Sequence, residues 1–84
     1  MTIPRTHVLK CWPTYFELVK SGRKRFEVRK NDRNFQEGDY VRLMWFDPLS
    51  GDTGDLLDFR IGTILYGPAF GIPTGHCVFQ LEEY

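Results

Sequence analysis

The sequence predicts an α+β domain that is mainly β, a small β-barrel of about five strands with one N-terminal helix packed on it. Five short stretches alternate apolar and polar residues, which is the pattern of strands, and one early stretch has helical spacing. The 84 residues leave room for one domain, residues 1–84, and 2 Trp, 4 Tyr and 7 Phe residues supply much of its core. Closing the sheet would remove exposed strand edges, which a small β protein must otherwise protect.

The first strand, residues 6–10, leads into the predicted helix. Pro13 suits the first turn of that helix, because a proline lacks the N–H that would have no partner there. A capping box between Thr14 and Glu17 is the alternative start, one or two residues away. Gly22 is expected to end the helix in a left-handed conformation. The apolar face of the helix is predicted to contain Tyr15, Phe16 and Val19, with Trp12 as a further candidate.

The second strand, residues 24–30, alternates in a way that predicts which side chains face the core. Phe26 and Val28 are expected to point inward. The opposite face would then carry the charged residues Arg25, Glu27 and Arg29. Residues 31–34 form a polar turn in which Asn and Asp side chains can bond to the backbone, and Phe35 is expected to enter the core.

Three further strands are predicted at residues 40–46, 59–66 and 76–82. Both faces of the first of these carry apolar residues, which indicates a central position in the sheet. Strict alternation in the second would place Ile61, Thr63 and Leu65 on one face. Gly62 indicates a bend or bulge within it. Two glycine-rich loops, at residues 47–55 and 67–75, separate the three strands.

The charge is divided unevenly along the chain, although the net charge is zero. Residues 1–33 contain nine of the eleven Lys and Arg residues and three acids, a net charge of +6, and the remaining residues carry −6. A strongly basic segment indicates an anionic partner such as nucleic acid. The acidic segment 47–58 is an alternative site for a protein partner. No membrane partner is expected, because no run reaches the ~18 apolar residues that cross a bilayer.

No metal or other cofactor is predicted. His7, Cys11, His76 and Cys77 are candidate ligands, but adjacent residues of a strand point to opposite faces, so His76 and Cys77 do not easily reach one ion. Both cysteines are expected to be free buried thiols. The lack of an apolar signal peptide and of a membrane-spanning run predicts a cytoplasmic protein.

Glu27 and Arg29 lie two residues apart on one strand face, so their side chains can pair. Arg29 offers a planar fork of donors and Glu27 a pair of acceptors, which together can read the polar edge of a heterocycle. Lys24, in the turn before the strand, can swing toward them and supply a point charge for a phosphate. The spacing alone favours the alternative of ordinary surface ion pairs and of bases that complement a helix C-terminus.

Gly22, Lys24, Glu27 and Arg29 match the G-x-K-x-x-E-x-R signature of the ASCH superfamily, whose domains have a fold similar to the PUA RNA-binding domain. The chain resembles most closely a small uncharacterised bacterial and phage family of ASCH-like proteins. The matching residues are His7, Leu9, Lys10, Pro13, Tyr15, Phe16, Ser21, Gly22, Lys24, Phe26, Glu27, Arg29, Lys30, Asn31, Asp32, Arg33, Phe35, Gly38 and Asp39. The resemblance is dense over the first half of the chain and continues loosely to the last strand.

The resemblance implies a PUA-like barrel with a cleft between helix and barrel, in which RNA, or a single flipped or modified nucleotide, would bind. Lys24, Glu27 and Arg29 would line this cleft. The residues expected to support it or form its rim are His7, Gly22, Asn31 and Asp32. We also expect contacts with the nucleic acid from Lys10, Lys20, Arg23, Arg25, Lys30 and Arg33. Trp12, Tyr15 and Phe35 are candidates for base stacking, with core packing as the alternative for each, and Trp12 is the one expected to be partly exposed.

A more distant resemblance, to small ASCH amidohydrolases that deacetylate an acetylated cytidine, gives an enzymatic alternative. That activity relies on the signature Lys, on a Thr at the signature Glu position and on a Glu from a later helix. This chain keeps the Lys as Lys24, has Glu27 in place of the Thr, and has no predicted later helix. We therefore expect a non-catalytic binding module, and Lys24 and Glu27 are the catalytic candidates of the alternative.

Overall fold

A computed structural model describes residues 3–84 of the chain as one five-stranded sheet with one α-helix. Residues 1 and 2 lie outside the described residues. The elements are β1 (Thr6–Cys11), α1 (Pro13–Lys20), β2 (Phe26–Lys30), β3 (Tyr40–Phe46), β4 (Thr53–Tyr66), a 3₁₀ turn (Ala69–Gly71) and β5 (His76–Glu82). The predicted mainly-β, barrel-like α+β fold is therefore confirmed.

The strand order is β1-β3-β4-β5-β2, with β1 parallel to β3 and every other pair antiparallel. β1 and β2 are the two edges, and no backbone ladder joins them within residues 3–84. The sheet is thus a half-barrel with an open seam, which differs from the full closure that we expected. Arginine side chains cross the seam instead: Arg29 Nη2 donates to the Lys10 carbonyl and Arg33 Nη1 to the Val8 carbonyl.

The helix begins at Pro13, as predicted, because a proline has no N–H that would lack a partner in the first turn. The residue before it, Trp12, makes no side-chain hydrogen bond that caps the helix. Gly22 has φ +80°, and the N–H groups that follow the helix fold back onto its last carbonyls, as predicted for a glycine-ended helix. Only Phe16 and Val19 are buried. Tyr15, predicted on the apolar face, is instead exposed, and Trp12 is exposed as expected for a residue at the start of the helix.

The face prediction for β2 was wrong. Glu27 is only 3% exposed, whereas Phe26 and Val28 are 47% and 53% exposed. The strand begins at Phe26, two residues later than predicted, and lies at the sheet edge. The buried side chain of Glu27 contacts the cations of Lys24 and Arg29, so this position suits a carboxylate. The alternation of β2 was predicted correctly, but Glu27 and Arg29 occupy its inner face, and Arg25, which precedes the strand, is exposed.

The core is built around three fully buried phenylalanines. Phe16 comes from α1, Phe35 from the loop that follows β2, and Phe79 from β5. β3 lies between β1 and β4, as its two apolar faces predicted. In β4 the register shifts between Ile61 and Ile64, at the predicted Gly62 bulge. The bulge buries both isoleucines and leaves Thr63 and Leu65 exposed, so strict alternation fails there.

β4 begins at Thr53, six residues earlier than predicted, so the acidic loop is limited to residues 47–52. The early part of β4 pairs with β3, and Arg42 and Asp58 form a two-pronged ion pair across them. The second half of the acidic segment 47–58 therefore belongs to β4, and the charge of Asp58 is paired with that of Arg42. No helix within residues 3–84 has the length and apolar character to span a bilayer.

Candidate functional site

A cleft of about 720 Å³ lies between α1, the end of β1 and the free edge of β2. Its walls combine cations, exposed aromatic rings and one carboxylate. The lining residues are Lys10, Cys11, Trp12, Tyr15, Leu18, Arg23, Lys24, Phe26, Glu27, Val28 and Arg29. The cleft opens where the sheet fails to close, between β1 and β2.

Three of the predicted residues meet at its floor. Lys24 Nζ lies 2.7 Å from Glu27 Oε1, and Arg29 Nε and Nη2 lie 2.9 and 2.8 Å from Glu27 Oε2. The chain places Lys24 here because the Arg23 and Lys24 N–H groups both donate to the Leu18 carbonyl, which fixes the turn from helix to strand. Arg29 comes from the same inward face of β2 as Glu27.

Both carboxylate oxygens of Glu27 are engaged by these contacts. Each of its carboxylate oxygens already holds a cation, and its side chain is almost fully buried. Two cations on one carboxylate leave the group with a net charge of +1. Glu27 therefore orients Lys24 and Arg29, and the chemistry that the cleft presents to a ligand is cationic.

Exposed aromatic rings lie beside these cations. Trp12 and Tyr15 are one helical turn apart, with ring centroids separated by 6.5 Å and planes inclined by 30°. Lys24 Nζ lies 5.8 Å from the centre of the Tyr15 ring and 5.2 Å from that of Phe26. Such rings offer flat faces on which a planar ligand can stack.

Cys11 lines the cleft but is buried. Its burial, and then the Glu27 charge, raises the pKa of the thiol, so it stays protonated near neutral pH and is a poor nucleophile. Cys77 is also a free buried thiol, and its pKa is raised chiefly by burial. Residues 3–84 contain no group of three or more His, Cys, Asp or Glu side chains that could hold a metal ion.

Six of the predicted nucleic-acid contacts line this cleft: Lys10, Trp12, Arg23, Lys24, Glu27 and Arg29. The others lie elsewhere. Arg25 borders a smaller hollow near the C-terminal end of β5 and bonds to the Gly22 carbonyl. Lys20 and Lys30 are exposed outside the cleft, at the ends of α1 and β2. Arg33 is engaged at the seam with Val8.

The predicted supporting residues have structural roles. Gly22 ends α1, and Asn31 accepts the Phe35 N–H in the turn after β2. Asp32 is exposed in that turn. His7 is buried away from the cleft, where its Nε2 lies 2.8 Å from Asp39 Oδ2. Burial alone would raise the pKa of Asp39, but hydrogen bonds from His7 and from the Arg5 and Gln36 N–H groups lower it below its ordinary value.

Four lining residues were not expected at the site: Cys11, Leu18, Phe26 and Val28. Of the three candidates for base stacking, Trp12 and Tyr15 line the cleft, and Phe35 is fully buried in the core. Phe26 and Val28 carried no signal in the sequence, since an alternating apolar pair in a strand predicts a core face by default.

Comparisons with known proteins place the chain among its relatives. The family model described as "Domain of unknown function (DUF3850)" matches residues 6–81. The chain is also 49% identical over 39 residues to an Escherichia phage P2 protein named "Uncharacterized 12.9 kDa protein in GpA 3'region". That match covers 46% of this chain and 36% of the phage protein, so it spans about a third of the relative.

Proposed function

The chain belongs to the DUF3850 family, and we propose that it is a nucleic-acid-binding module that holds RNA, or a single flipped or modified nucleotide, in the cleft between α1 and β2. We also propose a relationship to the ASCH superfamily, on the strength of the signature at Gly22, Lys24, Glu27 and Arg29. The free thiols of Cys11 and Cys77 suit the reducing cytoplasm, where the module would work.

The observation that carries the proposal is the juxtaposition of exposed aromatic rings with cations that Glu27 does not fully neutralise. Trp12 is 53% exposed at the mouth of the cleft, and Lys24 lies between the Tyr15 and Phe26 rings. A nucleotide has the complementary parts, a flat base and an anionic phosphate. The cleft volume of about 720 Å³ lies within the range of ~300–1,000 Å³ that small-molecule sites have.

Each part of the site then has a distinct role. Trp12 and Tyr15 stack on the base, a contact worth ~1–3 kcal/mol per base. Lys24 and Arg23 attract phosphate, Lys24 as a point charge held in position by Glu27. The cations outside the cleft, Lys20, Arg25 and Lys30, extend the basic surface for a longer strand.

Titration of fluorescein-labelled single-stranded RNA with the protein at about 50 and 200 mM salt tests this function. We expect affinity to fall with salt, because bound cations of the RNA are released by each protein–phosphate contact. Arg23→Ala should weaken binding and flatten the salt slope by about one unit. Arg60→Ala removes the same charge outside the cleft and should do neither. Salt-independent affinity, or equal losses for the two variants, would contradict the proposal.

A second candidate function, hydrolysis of an acylated nucleoside, is favoured by one observation. Lys24 Nζ is held against a buried carboxylate inside a cleft, and enzymes use positioned lysines and carboxylates for proton transfer. Incubation of the protein and of Lys24→Ala with a panel of acylated nucleosides separates the candidates. Turnover by the native protein that Lys24→Ala lacks would support hydrolysis, and no turnover by either would leave the binding module.

A further inference from the structure

The wall of the cleft formed by β2 is a strand edge with free backbone groups. β2 pairs only with β5, in regular antiparallel register from Phe26 opposite Gln80 to Lys30 opposite His76. Just outside these limits the Leu81 N–H donates to the Arg25 carbonyl, and the Asn31 N–H donates to the Gly75 carbonyl. These two bonds determine which residues of β2 direct their N–H and C=O groups toward β5.

In an antiparallel ladder, residues alternate between those whose N–H and C=O both point to the partner strand and those whose groups both point away. Arg25 and Asn31 point to β5, so Glu27 and Arg29 between them do so as well. Phe26 and Val28 therefore direct their N–H and C=O groups away from β5, toward the cleft that their residues line.

Nothing in residues 3–84 satisfies these groups at Phe26 and Val28, either from a loop or from a side chain. The facing edge of β1 differs. There the carbonyls of Val8 and Lys10 accept the Arg33 and Arg29 side chains, at 2.9 and 2.8 Å. The seam is thus closed by arginines on the β1 side, and its open hydrogen-bonding capacity lies along β2 in the cleft.

This edge adds acceptors to a cleft whose charged side chains are mainly donors. Lys10, Arg23 and Lys24 are donors only, and each oxygen of Glu27 already holds a cation. A nucleobase presents donors and acceptors side by side on its pairing edge. Besides the Tyr15 hydroxyl, the acceptors that the cleft offers to the donors of a base are the free backbone carbonyls of β2.

We propose that the β2 edge reads the base: the N–H and C=O of Val28, with those of Phe26, pair with a donor–acceptor edge of a nucleobase stacked near Trp12. This inference rests on the proposed function and deepens it. Specificity then comes from the main chain at Val28, and Glu27 is a positioning residue for Lys24 and Arg29.

Amide hydrogen exchange of the full chain, followed by NMR, tests the inference with AMP, CMP, GMP and UMP as probes and inorganic phosphate as the control. In the free protein the Phe26 and Val28 amides should exchange fast, and those of Glu27 and Arg29 slowly. A bound nucleotide should slow exchange at Val28 by about tenfold, the equivalent of one net hydrogen bond. Phosphate alone should not slow it.

The outcomes separate the two proposals. Nucleotides that shift the Trp12 and Lys24 signals but leave Val28 and Phe26 exchange unchanged overturn edge reading and leave nucleotide binding intact. If no nucleotide binds, both proposals fail. Protection of Val28 by an extended peptide, and not by nucleotides, would also overturn the inference in favour of strand addition.

A pair of variants tests the same edge without NMR. Val28→Pro removes the N–H that faces the cleft without removing a bond of the β2–β5 ladder, and Val28→Ala trims the side chain but keeps the N–H. We expect Val28→Pro to weaken nucleotide binding about tenfold and Val28→Ala to change it by less than about threefold. Equal affinity of the two variants for nucleotide would overturn the inference. If Val28→Pro does not fold, the hydrogen-exchange experiment is the deciding test.

Discussion

The Arg29 guanidinium donates to the Lys10 carbonyl oxygen at 2.8 Å, across a seam where β1 and β2 share no backbone ladder. The same Nη2 group also lies 2.8 Å from Glu27 Oε2. One side chain thus ties the two edges of the half-barrel together and anchors the carboxylate at the floor of the cleft. The cleft exists because the seam is bridged by side chains rather than by a strand ladder.

Arg29→Lys should destabilise the fold by about 1–3 kcal/mol, because an ammonium cannot reach both the Lys10 carbonyl and Glu27 with the fork geometry of a guanidinium. The free energy of unfolding from urea titration measures the loss. Arg60→Lys is the control, since Arg60 is exposed and its guanidinium lies over the Tyr40 ring, in a cation–π contact that a lysine can also make. Similar losses for the two variants would contradict the role of Arg29 at the seam.

Glu27→Gln should destabilise the protein by about 2 kcal/mol, because it leaves Lys24 and Arg29 without their shared counter-ion. Urea unfolding measures this, with Glu17→Gln as the control at an exposed helix position. If Glu27 is a positioning residue, the order of preference among the four nucleotides should be the same in Glu27→Gln. A reversed order would show that Glu27 reads the base itself.

Trp12→Ala should weaken nucleotide binding by about 5- to 150-fold, which corresponds to the loss of one base–aromatic stack. Phe70→Ala removes an aromatic ring that is 85% exposed in the loop before β5, and it should leave binding unchanged. Quenching of tryptophan fluorescence gives the binding curve in a Trp45→Phe background, where Trp12 is the reporter. Undiminished affinity in Trp12→Ala, which isothermal titration calorimetry would measure, would contradict stacking at this position.

Asp39 makes the fold sensitive to acid. Its pKa is lower in the folded protein than the ordinary 3.8 that the unfolded chain has. The stabilisation is therefore complete above that value and is lost as pH falls through the lower folded pKa. The free energy of unfolding should fall between about pH 5 and pH 2, and the fall should be smaller in Asp39→Asn. Asp32→Asn, at an exposed turn, is the control. An unchanged acid dependence in Asp39→Asn would contradict this.

The fold could be predicted from the sequence where local signals act alone. Pro13 and Gly22 mark the ends of α1, and β3 and β5 match their predicted bounds. β4 could not be predicted in full, because pairing with β3 keeps the glycine-containing residues 53–58 extended against their turn propensity.

The site could be predicted in its charged part only. The signature spacing located Lys24, Glu27 and Arg29, and they meet within hydrogen-bonding distance. The aromatic and apolar part was missed, because an open seam exposes Phe26 and Val28, which closure would have buried. Sequence alternation assigns the two faces of a strand, but which face is inside depends on the tertiary contacts of an edge strand.

Whether this cleft binds nucleotides can be measured by chemical-shift mapping of the ¹⁵N-labelled full chain with the four 5′-mononucleotides. We expect saturable shifts concentrated at the Trp12 indole, Tyr15, Lys24 and Arg29, with the loop at residues 47–52 unchanged. Shifts clustered at that loop, or no shifts at millimolar nucleotide, would contradict the claim that this cleft binds nucleotides.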